Sequence, residues 1–122
     1  MLLGNRPARR GEIVFVNLPT DPAGKGKRPA VVVSMDLRNQ HPRADTVLII
    51  PLTTSIQVGA PTRLFLPAGE TGLGADSMAR AENVVTISKD GLFEPLGQLR
   101  RLSNKRICEL SEMVRIAMGC GG

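Results

Sequence analysis

The chain has no tryptophan, no tyrosine and three phenylalanines in 122 residues. Modules that read single-stranded RNA by stacking bases need several aromatic platforms. That mode of binding is therefore not expected, and Phe15, Phe65 and Phe93 are read as core residues. Histidine occurs once, at His41, and cysteine twice, at Cys108 and Cys120. Neither cysteine has another ligand at metal or redox spacing, so no metal centre is expected. Both are read as free thiols of a reducing compartment, with Cys108 a candidate for burial and Cys120 in a Gly-rich tail. His41 lies in a polar loop beside Pro42 with no nucleophile signal nearby, and reads as a solvated histidine rather than a catalytic base. Glycine-rich phosphate cradles in a strand–helix setting are also missing. No apolar run nears the roughly 20 residues that span a bilayer. The start, MLLGNRPARR, lacks the apolar stretch of a secretion signal. A soluble, cytoplasmic protein with no membrane partner is expected.

What is plentiful is aliphatic side chain and positive charge. Hydrophobic residues make up 42% of the chain, enough for one domain with a core of Val, Leu, Ile, Met and Ala. The formal net charge is +5. Residues 1–43 hold eight basic against three acidic residues, so the whole excess lies there. A basic half points to a polyanion such as nucleic acid, or to an acidic protein. The plainer alternative is a small basic protein without a specific partner.

The pattern along the chain is many short strands and then one helix. Met1–Arg10 reads as a loose, Arg-rich arm. Glu12–Leu18, EIVFVNL, reads as a strand because it is rich in β-branched residues. Leu18–Gly26 is punctuated by Pro and Gly and reads as a mobile loop. Ala30–Ser34 and Thr46–Leu52 are near-continuous apolar runs, which implies strands buried on both faces. The polar stretch Met35–Asp45 between them reads as a loop. A short strand is expected at Arg63–Leu66 and a Gly-rich turn at Glu70–Gly74. One long strand is expected over Ser77–Ile87, although its propensity is weak from Ala79 to Asn83. Glu94–Leu99 reads as an edge strand because of Pro95. Ser103 is a good N-cap. Beyond it, Ile107, Leu110, Val114, Ala117 and Met118 trace one helical stripe, which Gly119 stops. Short strands need closure or cover at their edges. A small, strongly bent barrel with one packed helix satisfies that need, with residues 11–118 as its body and 119–122 as a flexible tail.

The chemistry falls to a few residues. The stretch GKGKRPAVVVS, Gly24–Ser34, runs a basic loop into a strand, with Arg28 at the junction. If that strand pairs with VLIIPLTTS, Val47–Ser55, Arg28 comes close to Thr53. RNA can be cleaved without a metal when the neighbouring 2′-OH attacks. The extra negative charge on phosphorus must then be stabilised, and protons must be managed at the 2′ and 5′ oxygens. An Arg fork matches two phosphate oxygens. A Thr hydroxyl can donate to a third, and Glu82 could accept the 2′ proton. The plainer reading leaves Arg28 as a surface charge and Thr53 as a strand end in solvent.

These strings carry a resemblance. RRGEIVFVNLPTDPAGKGKRPAVVVS, then VLIIPLTTS, then DSMARAENVVTISKDGL resemble the MazF/PemK family of toxin–antitoxin endoribonucleases, over roughly residues 9–118. The resemblance implies a mainly-β fold with α, a small SH3-like barrel of the CcdB/MazF type with a C-terminal helix, in one domain spanning 1–122. It implies a homodimeric toxin that cuts single-stranded cellular RNA, mRNA among it, at specific sequences without metal or other cofactor. The products would be a 2′,3′-cyclic phosphate and a 5′-hydroxyl, with translation and growth inhibited. It also implies a cognate antitoxin with an acidic, partly disordered tail; DNA is not expected as the toxin's own ligand. The family's catalytic Arg falls on Arg28 and its hydroxyl on Thr53, with Thr54 and Ser55 as neighbours that contact RNA. An Arg and an acid two apart fall on Arg80 and Glu82, and the acid opening strand one falls on Glu12. Many members carry a Glu in the first loop. Here that loop is DPAGKGK, without that Glu, so a loop-borne base is not expected, and Lys25 and Lys27 would add phosphate contacts. Arg80 is assigned to phosphate binding, since a guanidinium is too weak an acid to donate a proton. Glu82 is the first choice for proton acceptor, with water next. A non-catalytic gyrase-binding toxin on the same scaffold and a basic barrel that only binds RNA or protein are the two alternatives. The first gives Arg28 and Thr53 no joint role, and the lack of aromatic residues counts against the second.

Overall fold

The computed structural model describes residues 6–22, 26–93 and 101–120. Six strands are arranged around the longest of them: β1 (Ile13–Val16), β2 (Arg28–Val32), β3 (Thr46–Thr53), β4 (Arg63–Leu66), β5 (Ser77–Arg80) and β6 (Val85–Ser88). Three helices accompany them: α1 (Asp36–Gln40), α2 (Ala68–Thr71) and α3 (Asn104–Ala117). All strand pairs are antiparallel. β1 pairs with β2, and β2 with one edge of β3. The other edge of β3 is shared: Thr46–Ile49 pair with β6, and Leu52–Thr53 with β5, which in turn pairs with β4. A backbone bridge between Phe15 and Phe93 returns the chain after β6 to β1 and closes the ring.

Strand alternation explains the continuous apolar runs. Ile13, Val31, Ile50 and Leu52 face one core, completed by Leu64 and Leu66 of β4 and by Ile107 and Leu110 of α3. Val14, Val16, Ala30, Val32, Val47 and Ile49 face a second core with Ala8, Ile87 and Leu92. β1, β2 and β3 are thus buried on both faces, as their composition implies. Pro51 is tolerated inside β3 for a local reason. Leu48 directs its N–H to Ser34 Oγ and its C=O to Val33 N–H, toward β2. Alternation turns position 51 to the opposite edge, where β6 has ended at Ile49 and β5 begins at Leu52. The missing N–H of proline falls in that gap.

Several elements differ from the sequence expectation. The stretch 77–87 is two strands, separated by a 3-10 turn at Ala81–Asn83, where propensity was weakest. The polar stretch 35–45 contains α1, pinned by polar contacts rather than by an apolar stripe. Buried Asn39 donates Nδ2–H to Ser34 O at 2.9 Å, and Arg38 reaches Thr46 O at 2.6 Å. The Gly-rich turn at 70–74 begins as α2, and Gly72 ends it with φ 79°. The arm is seated over residues 6–10: Ala8 is in the core, Arg10 N–H donates to Asp36 Oδ1 at 2.8 Å, and Glu12 receives both Arg6 and the Arg9 N–H. Cys108 is exposed, not buried, because it follows Ile107 on the outer side of α3. Ser103 caps α3 as expected, accepting from Arg106 N–H. Only Ile107 and Leu110 of the helical stripe are fully buried; Met118 is 74% exposed. The expected edge strand at Glu94–Leu99 lies outside the described residues.

Candidate active site

The cleft of interest opens at the mouth of the second core. Its volume is about 520 Å³. Leu18 and Val85 pack on that core and also form part of the cleft wall. Around them stand Asp21, Arg28, Thr53, Arg80 and Asn83. The β2–β3 register accounts for the central pair. Ala30 lies opposite Pro51, so two residues further along Arg28 lies across from Thr53. By alternation both share the face of Ala30, Val32, Val47 and Ile49, and so emerge where that core ends. On the other side of β2, Arg28 is paired with Val16 at the end of β1, and the loop that follows β1 folds back over the cleft.

The arginines differ in what they hold. Arg28 donates Nε–H to Asp21 Oδ2 at 3.1 Å and has no other partner among the described residues, so its two terminal nitrogens remain unengaged. Arg80 makes no ion pair among the described residues, and its buried Nε is without a hydrogen-bond partner. Away from the cleft, by contrast, the terminal nitrogens of Arg38, Arg106 and Arg115 are held by protein acceptors. Thr53 Oγ1 accepts the Ser55 N–H at 3.2 Å. That bond orients the hydroxyl and leaves its own proton to donate.

Other predicted site residues are placed elsewhere. Thr54 and Ser55 are exposed beyond the end of β3 and are not part of the cleft wall. Lys27 is exposed, its ammonium 3.9 Å from the centre of the Phe93 ring, in a cation–π contact. Lys25 lies outside the described residues. Glu82 is not brought to the cleft. Its carboxylate receives Arg63 Nε–H at 2.8 Å, and Arg63 is further held by Gln57. Burial works to raise the Glu82 pKa, but hydrogen bonds from its own backbone, Arg63 and Thr62 outweigh it and hold the carboxyl below the usual range. A carboxylate so stabilised is a poor proton acceptor. Glu12 belongs to the fold rather than the site, since both its oxygens receive the Arg6 guanidinium.

One functional neighbour runs against expectation. The first loop does carry an acid at the site: Asp21, in contact with Arg28. The two are seven residues apart in a loop of no fixed period, so spacing gave no signal; a hairpin whose closing residue is an Arg was the available hint. Asn83 was also missed, because it reaches the cleft only through the 3-10 turn. A larger and more open depression of about 680 Å³ lies beside the start of α3. Arg106 on its wall is bound to Glu70 through Nε and Nη2 at 2.9 and 2.8 Å, and Arg101 donates Nε–H to Arg10 O at 2.7 Å with Nη2 3.7 Å from Asp36; no threonine hydroxyl stands beside them in the wall.

A mainly antiparallel β fold with a C-terminal helix and a cleft where arginines present unbonded terminal nitrogens beside a threonine defines a small basic barrel suited to phosphate. Comparison with known proteins places it more closely. Residues 9–118 match the family described as PemK-like, MazF-like toxin of type II toxin–antitoxin systems, and the chain belongs to that family. It is 35% identical to the endoribonuclease MazF9 of Mycobacterium tuberculosis, over 88% of this chain and 93% of that protein. A solved mycobacterial endoribonuclease in complex with its cognate antitoxin is 25% identical, with a TM-score of 0.71 over 92% of this chain and 95% of that one. MazF from Deinococcus radiodurans has the same fold, with a TM-score of 0.70 over 94% and 99% of the two chains at 20% identity.

Proposed function

We propose that this chain is the toxin of a type II toxin–antitoxin pair and cleaves single-stranded RNA without a metal ion. The observation that carries this reading is the convergence of Arg28, Thr53 and Arg80 on one cleft, with their phosphate-binding groups unengaged. In the reaction the 2′-oxygen attacks phosphorus and the bond to the 5′-oxygen breaks. A 2′,3′-cyclic phosphate and a 5′-hydroxyl result. The fork of Arg28 binds two phosphate oxygens and gains strength as charge builds on them. Thr53 donates to a third oxygen, and Arg80 adds a second positive charge from the opposite wall. With Glu82 held by Arg63, water takes the 2′ proton and returns one to the leaving oxygen. Thr54 and Ser55, exposed beyond the end of β3, offer hydroxyls to flanking nucleotides. The protein acts as a homodimer, and an acidic antitoxin segment neutralises it by occupying the same arginines.

The test is incubation of purified protein with a long single-stranded RNA in EDTA. Fragments with 5′-hydroxyl ends are expected. Arg28→Ala and Thr53→Ala should each lower the rate by about a hundredfold or more while remaining folded. Intact RNA together with inhibited DNA gyrase would replace this reading by that of a non-catalytic toxin.

A further inference from the structure

Arg28 is bound by the protein at a single nitrogen, and which nitrogen matters. A guanidinium can meet a phosphate side-on, through Nε and one terminal nitrogen, or end-on, through both terminal nitrogens. Asp21 Oδ2 accepts from Nε at 3.1 Å and so removes the side-on mode. What remains directed at the ligand is the end-on fork. The carboxylate is well placed to enforce this, because its side chain is only 19% exposed and it stands in the cleft wall beside Arg28. The backbone under Arg28 is fixed as well. Val16 pairs with Arg28 across the hairpin, and the adjacent Lys27 is anchored over the Phe93 ring, itself bridged to Phe15. Lys27 packs on Phe93 just before β2 begins, while Arg28, the first residue of β2, stands in the cleft wall. The flexible part of Arg28 is then its side chain, and Asp21 is the one protein group among the described residues that restrains its head.

We propose that Asp21 is a positioning residue, which holds Arg28 by Nε so that both terminal nitrogens face the scissile phosphate. It accepts a hydrogen bond and takes no part in proton transfer. The inference rests on the endoribonuclease reading above. Wild-type protein that leaves RNA intact fails that reading, whereas wild-type cleavage indifferent to Asp21 fails only this one.

The experiment uses the full chain and an oligonucleotide with one cleavage site mapped by the wild-type protein. Asp21→Ala should lower kcat by about tenfold to a hundredfold, the effect of a misaligned group, with KM changed by less than about threefold. Asp21→Asn should recover most of that loss, since an amide oxygen can still accept from Nε. It should also keep the acidic limb of the wild-type pH–rate profile. In an Arg28→Ala background, assayed with protein in excess of RNA, adding Asp21→Ala should cause no further decrease, because Asp21 acts through Arg28. Melting temperatures separate these effects from loss of fold, and Asp21→Asn, which preserves the contact, carries the test if Asp21→Ala proves unstable. Full activity of Asp21→Ala overturns the proposal. An Asp21→Asn variant as slow as Asp21→Ala, or one that has lost the acidic limb, also overturns it, by making the carboxylate itself the proton acceptor.

Discussion

Arg106 and Arg28 both meet carboxylates, Arg106 those of Glu70 and Glu109 and Arg28 that of Asp21, with opposite results. Arg106 presents Nε and a terminal nitrogen to Glu70 and becomes part of the framework. Arg28 presents Nε alone and stays available. Gly11 shows the same dependence on detail at the other end of β1. Its φ is 93°, and a Cβ there would lie 2.6 Å from the carbonyl oxygen of Leu102. Gly11 N–H also donates to Val32 O at 2.7 Å, and its own C=O accepts from Leu102. Gly11→Ala should therefore destabilise the fold by about 2 kcal/mol or more and lower Tm by roughly 5–10 °C, measurable by thermal denaturation. The glycine of the RGE string is thus required by the approach of the segment that leads into α3. Among single residues, the proximity of Arg28 and Thr53 was legible only on the condition that the two apolar runs pair, which periodicity alone does not require and the β2–β3 register meets. The position of Glu82 was not. In one continuous strand, residues 80 and 82 would share a face. The 3-10 turn at Ala81–Asn83 ends that alternation, so Arg80 enters the cleft while Glu82 meets Arg63.

At the scale of elements, α2 and α3 are joined by a polar clamp. Hydrogen bonds from Arg106 hold the Glu70 carboxyl below the usual carboxylate range, against a smaller opposing effect of desolvation. A depressed carboxyl pKa stabilises the fold fully above the ordinary carboxylate value, and the contribution is lost as pH falls through the depressed value. Glu70→Gln should therefore melt about 1–3 °C below wild type at pH 7, a small effect because the pair is partly exposed. The difference should shrink as pH falls from the ordinary carboxylate value through the depressed one, and melting curves across that acidic range check both the sign and the window. The element itself escaped the sequence reading, since four residues are too few to show helical period. α1 escaped for a further reason. Its cohesion comes from Asn39, Ser34 and Arg38 bonding to backbone, and polar residues that bind backbone look like loop residues in sequence. α3 was legible because fourteen residues hold four turns and a capping serine.

Across the whole molecule, the cleft is the open end of one of two cores, and its positive charge is that of Arg28, held by Asp21 through Nε alone, and Arg80, which makes no ion pair among the described residues. Binding of an uncleavable 2′-deoxy-substituted oligonucleotide should therefore weaken with salt. Three neutralised phosphates would give a log–log slope of roughly −2, or about sixteenfold weaker binding between 50 and 200 mM salt. Arg80→Ala should make that slope shallower by about 0.7, and an unchanged slope would place Arg80 outside the binding surface. The barrel as a whole was legible from composition, since many short aliphatic strands require closure. The ring's closing bridge between Phe15 and Phe93 was not, because a single bridge leaves no periodic trace.

The shared strand has a consequence for motion. β3 contributes Ile50 and Leu52 to one core and Val47 and Ile49 to the other, and it pairs with three strands. Neither core can open while β3 keeps its pairings, so its amides should exchange with solvent only through global unfolding. Thr53 stands at the tip of that slowest-exchanging strand, whereas Asp21 lies outside the strands and is tied to the site by its bond to Arg28. Hydrogen exchange would then read the two sides of the site separately, a hydroxyl on the slowest strand and a carboxylate in a segment that opens without global unfolding.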